Sequence, residues 1–317
     1  MRVLVIGLGS IGERHVTVLQ SLGIKDIAVL RSRQLPPRTV NPDTFTTFTS
    51  WEQAIAWHPD AAIVCTPSSQ HPAEAARCMS LGWHVLCEKP LASSSADLTP
   101  IFEASLRHPQ VQLRVAYMLT FHPFIAKVKE VAGSGRLGRL IAQHTYWGEY
   151  LPDWHPWEDY RQSYAALEGL GGGATRTLSH DLDLCLWLAG SPVTTWHRQE
   201  NRASTLEIDT DSAADVSVKF ANGTTAHCHL SFHDRVARRY YRFVFDKGVI
   251  EIEYLQGWMD ILEPGGKTER LDLDTWERND MFKAQWHAFV AQIAEGGTAT
   301  TLAQLERSRL LLEMAAG

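Results

Sequence analysis

Lys89 stands in Glu88-Lys89-Pro90, directly after the apolar run His84-Val85-Leu86-Cys87. A lysine at a strand's carboxyl end is usually solvated, but beside a bound dinucleotide it can polarise a substrate oxygen. His180 and Asp183 lie one helical turn apart, so both project from one face. A histidine that titrates near neutrality suits proton transfer, and the turn Gly171-Gly172-Gly173 leads up to it. A third group is Gly7-Leu8-Gly9-Ser10-Ile11-Gly12, the pattern G-x-G-x-x-G. Gly7 permits a tight turn, Gly9 lets backbone approach a pyrophosphate, and Gly12 lets helix and strand pack closely. The following helix start offers N–H groups and a positive dipole end to phosphate.

These residues need elements to position them. Residues 2–6 form a β-branched run expected of a strand buried on both faces, and a helical pattern follows through Leu22. A second strand is expected at 26–30, which completes a βαβ unit around the glycines. Its end reads Arg31-Ser32-Arg33, where an NAD site usually carries a carboxylate. A hydroxyl between two guanidinium groups suits a ribose 2′-phosphate, which favours NADP(H) over NAD(H). The run 60–65 is another strand, ending in Thr66-Pro67-Ser68-Ser69-Gln70-His71 on the same rim as the glycine turn. A helix over 72–81, the strand 84–87, a helix over 95–107 and a strand over 111–117 complete a parallel layer.

Beyond residue 119 strands dominate, at 139–147, 193–200, 213–220, 224–232, 240–246, 249–254 and 257–262. Asn222-Gly223 and Lys247-Gly248 mark hairpins, hence antiparallel pairing. Helices are expected over 177–189, 276–295 and 302–315. The expectation is an α/β protein: a dinucleotide-binding Rossmann domain over 1–119 and an α+β domain with a large antiparallel open sheet over 120–317. Between two of its strands lie Trp154, Trp157, Tyr160, Arg161 and Tyr164, close after Trp147. Aromatic faces stack on the C–H surface of a sugar while Arg161 and hydroxyls fix its oxygens, though a loop packed on its own aromatics reads the same way.

Thirty Lys plus Arg stand against thirty-six Asp plus Glu, so the net charge is −6, divided +1 before residue 120 and −7 after. Neither part carries the basic field that nucleic acid needs. Five scattered cysteines without a C-x-x-C pair read as reduced thiols of a cytoplasmic protein. No apolar stretch reaches the length of a membrane span. His227, His229 and His233 lack the companions of a tetrahedral metal set, and no G-x-S-x-G elbow supports a serine hydrolase.

G-L-G-S-I-G, T-P-S-S-Q-H and C-E-K-P-L-A resemble the Gfo/Idh/MocA family of NAD(P)-dependent sugar and polyol oxidoreductases, and the likeness spans essentially the whole chain. The resemblance implies that Lys89 contacts cofactor and substrate, and that Glu88, Thr66, Pro67, Ser68 and His71 line the nicotinamide side of the site. G-G-G, S-H-D-L-D and W-L-A-G match the family's second-domain motif, which makes His180 the acid/base and Asp183 a substrate group. It also implies a homodimer or homotetramer through the open face of the second-domain sheet. Two departures stand out. The Asp usual three or four residues before the histidine is replaced by Thr177 or Arg176, so either Asp181 or Asp183 substitutes or the chemistry is slower, and Arg176 points to an anionic substrate. Beside Tyr117, counted among the substrate residues, Met118 and Leu119 replace the usual Asn and Arg. A non-catalytic sensor and a redox-assisted glycoside-cleaving enzyme remain alternatives.

Overall fold

A computed structural model of the chain describes residues 1–32, 36–154, 156–202, 204–273 and 275–317. By contacts it divides into two units, Met1–Met118 with Glu277–Arg309, and Leu119–Trp276 with Leu310–Gly317. The sequence reading assigns all of 120–317 to one domain, whereas Glu277–Arg309 clusters with the first unit.

The first unit is built on β1 (Val3–Ile6), β2 (Ile27–Leu30), β3 (Thr46–Phe48), β4 (Ala61–Val64), β5 (His84–Cys87) and β6 (Leu113–Val115). They form one parallel sheet in the order β3-β2-β1-β4-β5-β6. All four residues of β1, β2 and β4 are buried, as sheets covered on both faces require. The connecting helices are α1 (Ser10–Ser21), α2 (Trp51–Trp57), α3 (His71–Ser80) and α4 (Thr99–Arg107). Strand order reverses between β1 and β4, so the turns leaving them share the switch point where open α/β sheets take ligands. β3 and α2 escape the sequence reading because Thr46-Thr47-Phe48 is too short and too exposed to show a pattern.

The second unit contains α5 (Pro123–Ser134), β7 (Leu140–Tyr150), α6 (Ala174–Thr177), α7 (His180–Ala189) and the strands β8 (Val193–Asn201), β9 (Ala213–Phe220), β10 (Thr225–Ser231), β11 (His233–Phe245), β12 (Gly248–Glu253), β13 (Trp258–Leu262) and β14 (Thr268–Asp272). Two helices end the chain, α8 (Arg278–Glu295) and α9 (Ala299–Ala316). The eight-stranded sheet runs β14-β13-β12-β11-β7-β10-β9-β8. Every pair is antiparallel except β7 with β10, which are not joined by a hairpin and run parallel.

Alternation along β9 buries Ala214, Val216, Val218 and Phe220 and exposes Asp215, Ser217 and Lys219. On the inner face Tyr241, Phe243, Ile250 and Ile252 pack with Phe124, Ile125 and Val128 of α5 and Leu184 of α7. β11 begins seven residues earlier than its expected start at 240, because Asp234–Arg239 holds strand geometry without an apolar period, around a register shift. The single helix expected over 177–189 breaks at Leu178-Ser179, leaving α7 buried except at Trp187. Among the described residues no helix is long and apolar enough to cross a membrane.

Candidate functional site

In the first unit the three motif glycines have different surroundings. Gly7 has φ of +89°, a left-handed turn straight out of β1. A Cβ on Gly12 would sit 2.2 Å from the Gly7 carbonyl oxygen, so this position is closed by backbone. A Cβ on Gly9 would meet nothing within 4 Å, so the space above the N-cap of α1 is open on the protein side. A closed turn below and an open one above is the cradle that a pyrophosphate fills. The residues present therefore fit a dinucleotide, whose phosphates the turn Leu8-Gly9-Ser10-Ile11 would hold.

The neighbouring turns are tied to one another. His71 Nδ1 lies 2.9 Å from the Pro90 carbonyl oxygen and Nε2 lies 2.7 Å from that of Thr66. Carbonyls only accept, and burial holds the His71 pKa below its ordinary value against the pull of both, so the neutral ring donates to one at a time. The Thr66 hydroxyl donates to Glu74 at 2.5 Å, whose carboxyl burial pushes up. Glu88 accepts from His15 Nε2 at 2.8 Å and from the Lys89 backbone N–H at 3.2 Å. Burial opposes its charge, but His15 and Lys89 hold its pKa below the ordinary carboxylate value. His15 is itself buried, edge-on to Phe282 of α8 at 5.4 Å.

Glu88 is thus joined to α1, Ser68 is buried, Lys89 is half-buried and joined to Pro90 by a cis peptide, and Tyr117 is buried after β6. His15 and Glu74 were missed by sequence reasoning. His15 falls on α1 three residues after Gly12, a spacing signal, whereas nothing local marks Glu74 as the partner of Thr66.

At the end of β2, Arg31 donates its backbone N–H to Phe48 and Ser32 is exposed. Arg33 lies outside the described residues, as does His155. The returning segment is held by Glu13 on α1, which accepts from the backbone N–H groups of Arg38 and Thr39 and from the Thr39 hydroxyl, the last at 2.6 Å. Burial opposes its charge, yet these donors keep the Glu13 pKa below the ordinary value.

In the second unit His180, Asp181 and Asp183 are all buried at the start of α7. The glycine turn before it is fixed by Asp211, which accepts from Thr175 N–H at 2.9 Å and Thr175 hydroxyl at 2.6 Å and pairs with Arg198 at 3.3 Å. Asp181 accepts from Arg239 Nη2 at 2.6 Å and from the Tyr241 hydroxyl at 3.0 Å. Asp181 is therefore engaged by β11. The His180 ring lies 6.3 Å from that of Trp147, roughly parallel to it. Arg176 donates to the Gly172 carbonyl at 3.2 Å and lines a cavity of about 240 Å³ with Arg198, Arg202, Glu168, Glu200 and Asp211. That cavity balances three cations with three acids, so it is not an anionic-substrate pocket by charge alone.

The aromatic loop divides. Trp154 packs edge-on against Phe232 at 5.4 Å, with its indole N–H buried and lacking a hydrogen-bond partner. Trp157 is 65% exposed. Arg161 grips Asp159 through two parallel bonds of 2.8 and 2.9 Å and reaches Glu207 at 3.2 Å, while the Tyr160 hydroxyl accepts from Glu207 N–H. Arg161 and Tyr160 thus staple the loop to residue 207, and Trp154 is the inward-packed member.

A parallel sheet with an open glycine cradle, and in the second unit an open sheet packed by a helix that begins at the buried His180, are the architecture of a two-unit dehydrogenase. Residues 1–117 match the oxidoreductase family with an NAD-binding Rossmann fold, GFO_IDH_MocA, and residues 125–251 match the GFO/IDH/MocA C-terminal domain. The chain belongs to this family and is an oxidoreductase.

Inositol 2-dehydrogenase 2 of Saccharopolyspora erythraea is 31% identical over 43% of this chain, a match spanning 37% of that relative. The 4-carboxy-2-hydroxymuconate-6-semialdehyde dehydrogenase of a Sphingobium species is 26% identical over 93% of this chain and 91% of its own. Among solved structures, levoglucosan dehydrogenase in complex with NADH superposes with a TM-score of 0.85 at 16% identity, covering 100% of this chain and 96% of that one.

Proposed function

We propose that this chain oxidises or reduces a carbinol carbon of a sugar, sugar derivative or polyol with NAD(P). The observation that carries the reading is the open cradle at Gly9 on the same rim as Lys89, within one unit. The names of two relatives, an inositol 2-dehydrogenase and a levoglucosan dehydrogenase, support the substrate class, whereas the semialdehyde named for the third is not a sugar or polyol. When bound, the nicotinamide supplies or accepts the hydride. Lys89 polarises the substrate oxygen and balances the charge that develops on it. His180 exchanges the oxygen's proton, with Asp183 orienting the substrate. Trp154 and Trp157 supply wall surface, and the unpartnered Trp154 N–H is available to a hydroxyl oxygen.

Arg31 and Ser32 at the end of β2, with no carboxylate there, support NADP(H) as the preferred cofactor. All five cysteines are buried free thiols, in keeping with a cytoplasmic enzyme. Assembly uses the outer face of the second-unit sheet. The test is absorbance of the reduced nicotinamide against a panel of inositols, hexoses, anhydrosugars and uronic acids with each cofactor. Turnover with a panel member is expected, with tighter binding of NADPH than NADH. Binding without turnover favours a sensor, and tighter NADH binding removes the assignment of Arg31 and Ser32.

A further inference from the structure

Arg239 is 7% exposed, and its guanidinium carbon lies 3.6 Å above the centre of the Trp147 ring and 4.7 Å from that of Tyr254. Its charge meets one anion, Asp181, which is wholly buried. Trp147 also lies against the His180 ring, and Asp181 is the residue after His180. A cation and an anion are thus anchored to the same short stretch of chain and the same indole as the proposed acid/base.

Resting on the reading of His180 as that acid/base, we propose that the Asp181–Arg239 pair is its positioning device and that its two opposed charges set the pH at which His180 exchanges its proton. Trp147 passes the position of Arg239 to the imidazole ring. Asp181 ties the first turn of α7 to β11.

Several titratable groups around this turn carry no charge. On α7 itself Cys185 is held well above its ordinary pKa by Cys228 and by burial, and Cys228 is the thiol facing it from β10. From β7 the inward residues Gln143 and Thr145 carry no charge, while Glu149 accepts from the Trp147 indole N–H at 2.9 Å. From β11, burial keeps Tyr241 a neutral phenol. His122, ahead of α5, is pushed down to about 3 by burial and by Arg239, and is neutral. Tyr254 completes the aromatic wall on Arg239. Charged side chains on these elements include Asp181, Asp183, Arg239, Glu149 and, on α6, Arg176, with Lys89 added in the proposed function; Asp181 and Arg239 form the pair.

Removing the two members has unequal electrostatic consequences. Asp181→Asn leaves the cation and disfavours the imidazolium, lowering the His180 pKa. Burial already raises the Asp181 pKa and Arg239 is the main group opposing it, so Arg239→Gln lets the carboxyl take a proton, removes both charges and moves the His180 pKa less. A fall of about 0.5–1 unit in Asp181→Asn and a smaller shift in Arg239→Gln are expected. They are read from ring-labelled histidine resonances of the full chain, assigned to His180 by their loss in His180→Asn. The acid limb of kcat/KM should move with them.

A merely structural pair would lower stability in both variants without a fall in the His180 pKa of Asp181→Asn. No fall, or a rise, in that variant overturns the proposal. Where a lone buried charge prevents folding, Tyr241→Phe keeps the ring and both charges but removes one donor from Asp181. It is expected to raise the His180 pKa, and a fall or no change overturns the proposal. Full activity of His180→Asn would instead remove the functional reading, while the resonances would still judge the coupling.

Discussion

Lys89 and His180 carry the proposed chemistry by different means, a fixed positive charge and a titrating ring. Lys89→Met removes the charge that balances a developing alkoxide, and His180→Asn removes the proton acceptor. Each is expected to lower turnover by about 10²–10⁴-fold with cofactor affinity changed far less for His180→Asn. Near-normal turnover in single-wavelength kinetics would cancel the assigned role. His122 does a different job. Its Nδ1 accepts from Phe124 N–H at 3.3 Å and caps α5, which requires the neutral ring. Burial and Arg239 push it from 6.5 to about 3. Below pH 6.5 the unfolded chain binds a proton that the folded chain refuses, so stability is lost between about pH 6.5 and 3. The loss is at most about 1.4 kcal/mol per pH unit from this group. His122→Asn retains an acceptor but does not titrate. Urea unfolding at pH 7.5, 6 and 5 should give a flatter pH dependence for it, and an unchanged slope would assign the titration elsewhere.

At the scale of elements, the β1–α1 connection separates binding from folding within six residues. A methyl on Gly9 meets only open space, whereas one on Gly12 collides with the Gly7 carbonyl at 2.2 Å. Gly9→Val is expected to keep the melting temperature within a few degrees and to weaken NADPH binding at least about tenfold, because the side chain occupies the pyrophosphate's place. Gly12→Ala is expected to lose several kcal/mol of stability, of the order found for overpacked cores. Equal effects of the two substitutions on binding and melting would remove this division. The cradle was legible in the sequence because its determinants are local: three glycines, a buried strand and a helix period. β3 and β14 were not, since Thr46–Phe48 and Thr268–Asp272 carry too few apolar residues to show alternation. Partners distant in sequence were equally hidden. Nothing near Glu13 announces Arg38 and Thr39, nothing near His180 announces Arg239, and nothing near Arg161 announces its reach to Glu207.

For the whole molecule, the second unit leaves one large sheet face to account for. Its inner face is covered by α5 and α7. The outer face carries His144 stacked on His227 at 5.3 Å, Tyr146 stacked on His229 at 4.7 Å, and Arg242 opposite His144. Tyr and Arg are enriched in interface cores, and the acids of this face, Asp215, Asp234 and Glu251, are each bonded to one of its own side chains. The Tyr146 hydroxyl is held by Asp234 at 2.6 Å and His229 by Asp215 at 2.8 Å, so these rings are fixed before any partner arrives and lose little freedom on association. Association of two such faces is therefore expected, giving at least a dimer by light scattering at micromolar concentration. Placing carboxylates in the middle of the face, with His144→Glu and His227→Glu together, should shift the mass to the monomer. NADPH affinity should stay close to wild type, because the cradle lies wholly within the first unit. A wild-type monomer across the concentration range would sink the assignment of this face, and unchanged assembly of the double variant would move the interface elsewhere.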